Sequence, residues 1–322
     1  MSNLDVKPAA TECGGAGHTG PVRDLIKGRD VTLGASTLVR RLLPTLGRRM
    51  VGAWCFVDNY GPDDIADEPG MQVPPHPHIG LQTVSWLHAG EVLHRDSVGS
   101  RQLVRPRELG LMTSGRAIAH SEESPRPHTN APVLHGTQLW VALPGEHRDT
   151  APAFEHHPVL PEIAGGNGLR ATVILGSLDG ATSPGTTYTP LVGADVTVAA
   201  GTDARLPVEE GFEYAALAMS GEAVVDGVPL PVGSLLYLGG GRRELPVRAD
   251  TDAAFMLLGG VPFDEKIIMW WNFVARAGDE ITAARAAWNA GDRFGEVRGY
   301  DGDRLLAPEL PALPLKPRGR AR

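Results

Sequence analysis

The sequence predicts an all-β protein: two β-barrels, with a short helix near the C-terminus. Three observations lead there. Gly 40 and Pro 27 in 322 residues are well above ordinary usage, which favours many turns and short strands over helical bundles. Short apolar runs recur at close spacing with Gly or Pro between them, the pattern of a sandwich or barrel. The pattern also repeats: Ala89-Gly90-Glu91-Val92 has a counterpart in Ser220-Gly221-Glu222-Ala223, and Pro106-Arg107-Glu108-Leu109 in Pro231-Val232-Gly233-Ser234. The two offsets, 131 and 125 residues, describe one barrel duplicated.

Taken in order, residues 1–20 are polar and Gly-rich and are expected to be disordered. A first barrel is expected over 21–150. Its strand through Phe56-Val57 is expected to end in a turn at Asn59-Tyr60-Gly61-Pro62, followed by an acidic loop over 63–70. Strands are then expected at Leu81–Leu87, Glu91–Asp96, Gln102–Arg105, Leu109–Thr113 and Thr137–Leu143, with turns at Ala89-Gly90, Val98-Gly99-Ser100 and Ser114-Gly115-Arg116. Residues 145–165 read as a polar loop, and a second barrel spans 165–300. Asp279-Glu280, then Ile281, Ala284, Arg285 and Trp288, then Gly291, form the pattern of an amphipathic helix: acidic start, apolar face, terminal glycine. The segment 301–322 is a tail, Pro-rich at Leu310–Leu315, either unstructured or strapped to the surface. Its end, Lys316-Pro317-Arg318-Gly319-Arg320-Ala321-Arg322, is expected to be solvated.

Composition limits the function classes. A formal net charge of −8 argues against gripping nucleic acid directly, which needs clustered cations. No apolar run reaches about 18 residues and no apolar leader is visible, so a soluble, cytoplasmic protein is expected, with no membrane partner. The two cysteines make no disulfide framework; Cys55, inside Ala53-Trp54-Cys55-Phe56-Val57, is expected to be a small buried hydrophobe.

The chemistry concentrates in His76-Pro77-His78 and His120-Ser121-Glu122. Side chains two apart on a strand project to the same face, so two such pairs on facing strands converge three imidazoles and one carboxylate on one point. That donor set suits a divalent transition metal; ligand type alone accepts iron, nickel, copper, manganese or zinc. All 11 histidines lie at or before His157, so the second barrel cannot hold a His-based site. His94 either lines the pocket or is a hydrogen-bonded strand histidine. His88 reads as turn-flanking, His156-His157 as solvated loop residues, and Trp270-Trp271 as core or inter-barrel packing.

Three stretches, taken as an ordered set, resemble the pirin family of the cupin superfamily. They are Pro75-His76-Pro77-His78-Ile79-Gly80-Leu81-Gln82-Thr83-Val84, Gly90-Glu91-Val92-Leu93-His94-Arg95-Asp96, and Met112 through Ala119-His120-Ser121-Glu122. The resemblance covers about residues 20–300, continuing through Gln138-Leu139-Trp140 and Glu265-Lys266-Ile267-Ile268. It implies two facing cupin barrels (a bicupin) with one metal, Fe²⁺, in the N-terminal barrel. His76, His78, His120 and Glu122 match the family's ligands. Ile79 stands where Arg is common, Gln82 where Glu is common, and Arg107 and Ala117 where Gly is common. Two functions are consistent with the resemblance. One is a quercetin 2,3-dioxygenase-like oxidoreductase acting on a small flavonol-like substrate, with Glu122 as ligand and base. The alternative is an iron-dependent, redox-responsive regulator that binds a protein partner, either a transcription factor or a metabolic enzyme.

Overall fold

The structure, a computed structural model, describes residues 11–13, 20–33, 37–128 and 132–317. Two large antiparallel sheets dominate it. The first runs, in spatial order, Ala153–His157, Leu109–Thr113, Leu81–Ala89, Val133–Ala142, Trp54–Asp64, Thr37–Leu43 and Arg29–Leu33. The second runs Pro21–Lys27, Ser234–Gly239, Glu213–Ser220, Ala253–Gly260, Leu191–Val198, Leu169–Leu178 and Glu162–Ala164, with Ala181–Thr182 added on Leu169–Leu178. Each is completed by a four-stranded sheet. In the first barrel this is Gln72–His78, Ile118–Glu123, Val92–Asp96 and Arg101–Val104; in the second it is Thr202–Pro207, Glu244–Ala249, Ala223–Val225 and Val228–Leu230.

The two halves therefore repeat strand for strand, and the sequence-level duplication is a duplicated topology. Leu81–Ala89 and Glu213–Ser220 are the equivalent strands that end at Gly90 and Gly221. The edge strands interlace the halves. The N-terminal Pro21–Lys27 completes the second barrel's sheet, and Ala153–His157, from the link between barrels, completes the first.

The barrels meet through their large sheets. Trp54, Trp86, Trp140, Val84 and Leu139 from one share a core with Leu217, Tyr237, Met256 and Leu258 from the other. The Trp54 indole N–H lies 3.1 Å from both the Val192 and Gly259 carbonyl oxygens, so this large ring is anchored across the junction. Cys55 is buried there, and burial pushes its thiol up to about 12, which keeps it an inert hydrophobe.

Inside the second barrel, the positions that would face a metal are filled by Ala204, Leu206, Leu245, Val247 and Ala249 packed on Val173, Leu236 and Phe255. An aliphatic filling gives that barrel stability and no polar interior. The interior of the first is divided, with Tyr60, Met71, Val73, Leu87, Val104 and Leu134 packed in an apolar cluster and the imidazoles outside it.

The helix forms at Gly278–Ala290 with Ile281, Ala284 and Trp288 buried and Asp279 and Glu280 in its first turn, where negative charge is favoured by the helix dipole. Gly291, at φ 80°, ends it. Its buried face packs on Trp270, Trp271 and Phe273, which cover Ile79, Ala117 and Ala119 of the first barrel. The tail beyond, over the described residues to 317, has no regular structure but is strapped down: Leu305 N–H donates to Pro75 O at 2.9 Å, and Trp288 Nε1–H donates to Leu305 O at 2.6 Å.

Several expectations need correction. The turn at Gly61-Pro62 is a bulge in the unbroken strand Trp54–Asp64, where the register slips between Leu134 and Gly136. Gly61 takes φ 75° there, and a Cβ would sit 2.0 Å from the Leu134 carbonyl oxygen. The expected 145–165 loop contains two strands, because the edges of both sheets recruit it. Within 1–20, Thr11–Cys13 is a strand paired with Ile267–Met269 rather than a disordered segment; 1–10 and 14–19 lie outside the described residues, as do 318–322 of the basic end.

Gly80 connects the strand that carries His76 and His78 to the C-terminal segment. At φ 71° its missing Cβ would lie 2.2 Å from the Val274 carbonyl oxygen. Gly80→Ala therefore combines left-handed strain of about 1–2 kcal/mol with a backbone clash. The expected result is a Tm lower by several degrees and weaker metal binding, since His78 is two residues away; thermal melts and metal titration of the variant check both.

Candidate metal centre

The first barrel's small sheet brings His76, His78 and His120 together, with Glu122 two residues beyond His120 on the same strand. His120 stands directly across from His76 on one neighbouring strand and from Asp96 on the other, and Ile118 stands across from His78. Glu122 stands across from His94. Between His120 and Glu122 the register slips, so that three steps on Gln72–His78 (His76 to Val73) oppose two on Ile118–Glu123. This bulge falls on Pro74-Pro75, residues with no N–H to give to a ladder. It turns the Pro74 carbonyl toward the site, 2.7 Å from His76 Nδ1.

His76, His78 and His120 are each fully buried, and their ligand atoms all lie within 4.8 Å of one another. His78 Nε2 and His120 Nε2 are 3.1 Å apart. Burial pushes His76 down to about 4 and holds His78 and His120 well below the usual imidazole range, their mutual repulsion adding to it. At neutral pH all three are uncharged, the state that ligates metal. A carbonyl oxygen only accepts, so His76 carries its hydrogen on Nδ1 toward Pro74 O, and His78 carries its own toward Asn272 O at 3.0 Å. Both rings thus leave Nε2 unprotonated, the form that ligates metal. Trp140 meets His78 edge-on, with ring centroids 5.3 Å apart.

Glu122 is buried in the same sheet, and Ser85 Oγ donates to its Oε1 at 3.1 Å. Ser85 also sits 3.2 Å from Gln138 Oε1. Gln82 points its amide N–H to Thr113 Oγ1 and to Thr186 O. Sequence reasoning did not find Ser85, Gln138, or the Pro74 and Asn272 carbonyls. A backbone acceptor leaves no residue-type signal, and Ser85 reads only as an inward-facing strand position. His94 is a hydrogen-bonded strand histidine, its Nε2 3.0 Å from Asp96 Oδ2.

Among the described residues, the other histidines lie apart from the cluster. His88 lies 4.9 Å from His135, ring to ring, near Asp195. His156 and His157 belong to a strand and pair with Glu108 and Glu155, so the solvated-loop reading of them is corrected. Arg107 adopts φ 66°, the left-handed region that glycine favours, and is held by its guanidinium on Glu162 and Thr172.

The donor set fits a transition-metal ion. Three neutral imidazoles converge, and the 3.1 Å between two Nε2 atoms is a normal spacing for neighbouring ligands about 2.1 Å from one ion. The Pirin family model matches residues 36–141, and the Pirin C-terminal cupin domain matches 193–295. The chain belongs to the pirin family. A Pseudomonas aeruginosa pirin relative that bears a provisional quercetin 2,3-dioxygenase name is 45% identical over 287 residues, 89% of this chain and 90% of its own. A pirin-like protein of Caulobacter vibrioides is 39% identical, covering 79% of this chain and 88% of its own. The crystal structure of quercetin 2,3-dioxygenase from Acinetobacter baumannii superposes with a TM-score of 0.85 at 41% identity, over 90% of this pirin and 96% of that chain. Among the described residues of this pirin, no helix is long and apolar enough to cross a membrane.

Proposed function

We propose that this pirin is a metal-dependent dioxygenase that opens flavonols such as quercetin, at an Fe²⁺ held by His76, His78, His120 and Glu122. The buried triad of neutral imidazoles carries this reading, in a chain 41% identical to the Acinetobacter baumannii quercetin 2,3-dioxygenase. A bound ion would supply Lewis acidity that lowers the pKa of a flavonol 3-hydroxyl. The chain supplies the rest. His76 and His78, fixed through their Nδ1 hydrogens, present Nε2 without reorganisation. Glu122 accepts the hydroxyl proton and leaves the flavonolate, the electron-rich form that reacts with dioxygen. Ser85 orients that carboxylate through its hydrogen bond to Oε1.

Glu122→Gln tests the role of the carboxylate. It keeps the shape and an oxygen ligand but removes the proton acceptor, so kcat should fall about 10²–10⁴-fold while metal affinity changes far less. Anaerobic Fe²⁺ loading followed by oxygen uptake with quercetin measures both. Unchanged turnover at full metal occupancy would refute the base role.

A further inference from the structure

His94 and Asp96 are buried beside the centre, and nothing above gives them a task. Being two apart on the strand Val92–Asp96, they face the same side, and that side faces the imidazoles. Asp96 Oδ1 accepts from the amides of Val98 and Ser100, at 3.0 and 2.8 Å, which fixes the carboxylate in its turn. Its Oδ2 meets His94 Nε2 at 3.0 Å. The other ring nitrogen, His94 Nδ1, lies 3.4 Å from His120 Nδ1. Phe154 stacks on the His94 ring with centroids 4.0 Å apart and planes 13° apart, so the ring cannot easily turn away.

We propose that Asp96 and His94 form a relay that sets the tautomer of His120 and so presents its Nε2 as a metal-ligating lone pair; this deepens the metal-centre reading and rests on it. The logic is one of donors and acceptors. An ionised carboxylate only accepts, so His94 carries its hydrogen on Nε2. With that hydrogen on Nε2, His94 Nδ1 is an acceptor. The His120 hydrogen has two acceptors within reach, His94 Nδ1 at 3.4 Å and His78 Nε2 at 3.1 Å. The relay supplies the first, so that a metal ion taking the place of the contact between the two Nε2 atoms meets a His120 Nε2 lone pair whose hydrogen is accommodated on Nδ1. His76 and His78 achieve the same state through backbone carbonyls. His120, in mid-sheet, has its backbone committed to ladders on both sides and uses a side-chain relay instead. His94 and Asp96 are thus positioning residues.

The test uses the full chain with ¹⁵N-labelled histidine, Zn²⁺-loaded, with Zn²⁺ affinity measured separately by chelator competition. In the parent, ¹⁵N shifts should show His94 protonated at Nε2 and accepting at Nδ1. Asp96→Asn keeps an oxygen for the Val98 and Ser100 amides but turns an NH₂ toward His94. It should move the His94 hydrogen to Nδ1, against the His120 Nδ1–H, and weaken Zn²⁺ binding about 10–100-fold. His94→Phe keeps an aromatic ring on Phe154, removes the lone pair and should weaken binding similarly. His94→Asn, which returns an amide oxygen near the Nδ1 position, should recover most of the loss. A loaded parent with the His94 hydrogen on Nδ1 would overturn the relay. So would folded Asp96→Asn and His94→Phe variants that bind Zn²⁺ within twofold of the parent. A parent that binds no Zn²⁺ would instead overturn the metal centre, and the His94 tautomer, read in the metal-free chain, would still decide the relay.

Discussion

His76→Ala should abolish quercetin-dependent oxygen uptake and weaken metal binding by more than about 100-fold. His76 is one of three converging imidazoles, fully buried, and prealigned by its hydrogen bond to Pro74 O, so no neighbour replaces it. Losing a direct ligand should exceed the roughly 10–100-fold typical of losing an outer partner. The check is metal content after anaerobic Fe²⁺ loading, then oxygen consumption with quercetin. The parent should hold close to one iron per chain and consume oxygen; the variant should do neither while still melting cooperatively. Uptake that survives in the variant would place the reaction elsewhere. Iron in the parent with no uptake across several flavonols would leave the metal centre standing and remove the dioxygenase reading.

Acid should destabilise the metal-free protein steeply. His76, His88 and His135 are each pushed down by burial from 6.5 to about 4. A histidine whose folded pKa lies below its unfolded value binds fewer protons when folded. Its contribution is therefore fully present above about pH 6.5, is lost as pH falls toward 4, and is constant below that. For the fully buried His76 alone, the shift from 6.5 to about 4 corresponds to about 3 kcal/mol at pH 7. His78 and His120 are also held well below the usual imidazole range and add to the loss as the pH falls. Thermal melts of chelator-treated protein between pH 7.5 and 4.5 measure this. The expected result is a Tm that falls continuously below pH 6.5, and a flat profile would show that these rings are not buried neutral. Added Zn²⁺ should raise Tm at pH 7 and lose that effect on acidification, because protons and metal compete for the same Nε2 atoms.

Much of this was legible in the sequence because it depends on local period. His-x-His and His-x-Glu need only the two-residue repeat of a strand to aim at one side, and strands formed at both places. The second barrel's lack of histidine excludes a His-based metal site there, and in the structure mostly aliphatic residues fill the equivalent interior. The helix at Gly278–Ala290 was visible through its acidic start, apolar face and closing glycine. Strand ends and linkers were less visible. Gly61-Pro62 reads as a turn in isolation, but a partner strand at Val133–Ala142 carries the chain straight through it. Ala153–His157 looks polar and loose until the open edge at Leu109–Thr113 recruits it.

By itself, then, the sequence determined an all-β, duplicated chain and which residue types meet in one barrel. Only the tertiary structure decided how those imidazoles are held. Asn272 O reaches His78 from 194 residues away, and Phe154 reaches His94 from the strand that links the barrels. The Asp96–His94–His120 alignment depends on cross-strand register, and the Pro74 carbonyl on a bulge one residue wide. The physical reason is range. Side-chain alternation is a property of a single strand, whereas the hydrogen bonds that join His78 to Asn272 and His120 to His94 require segments distant in sequence to be placed within about 3 Å, and packing of the whole fold sets that placement.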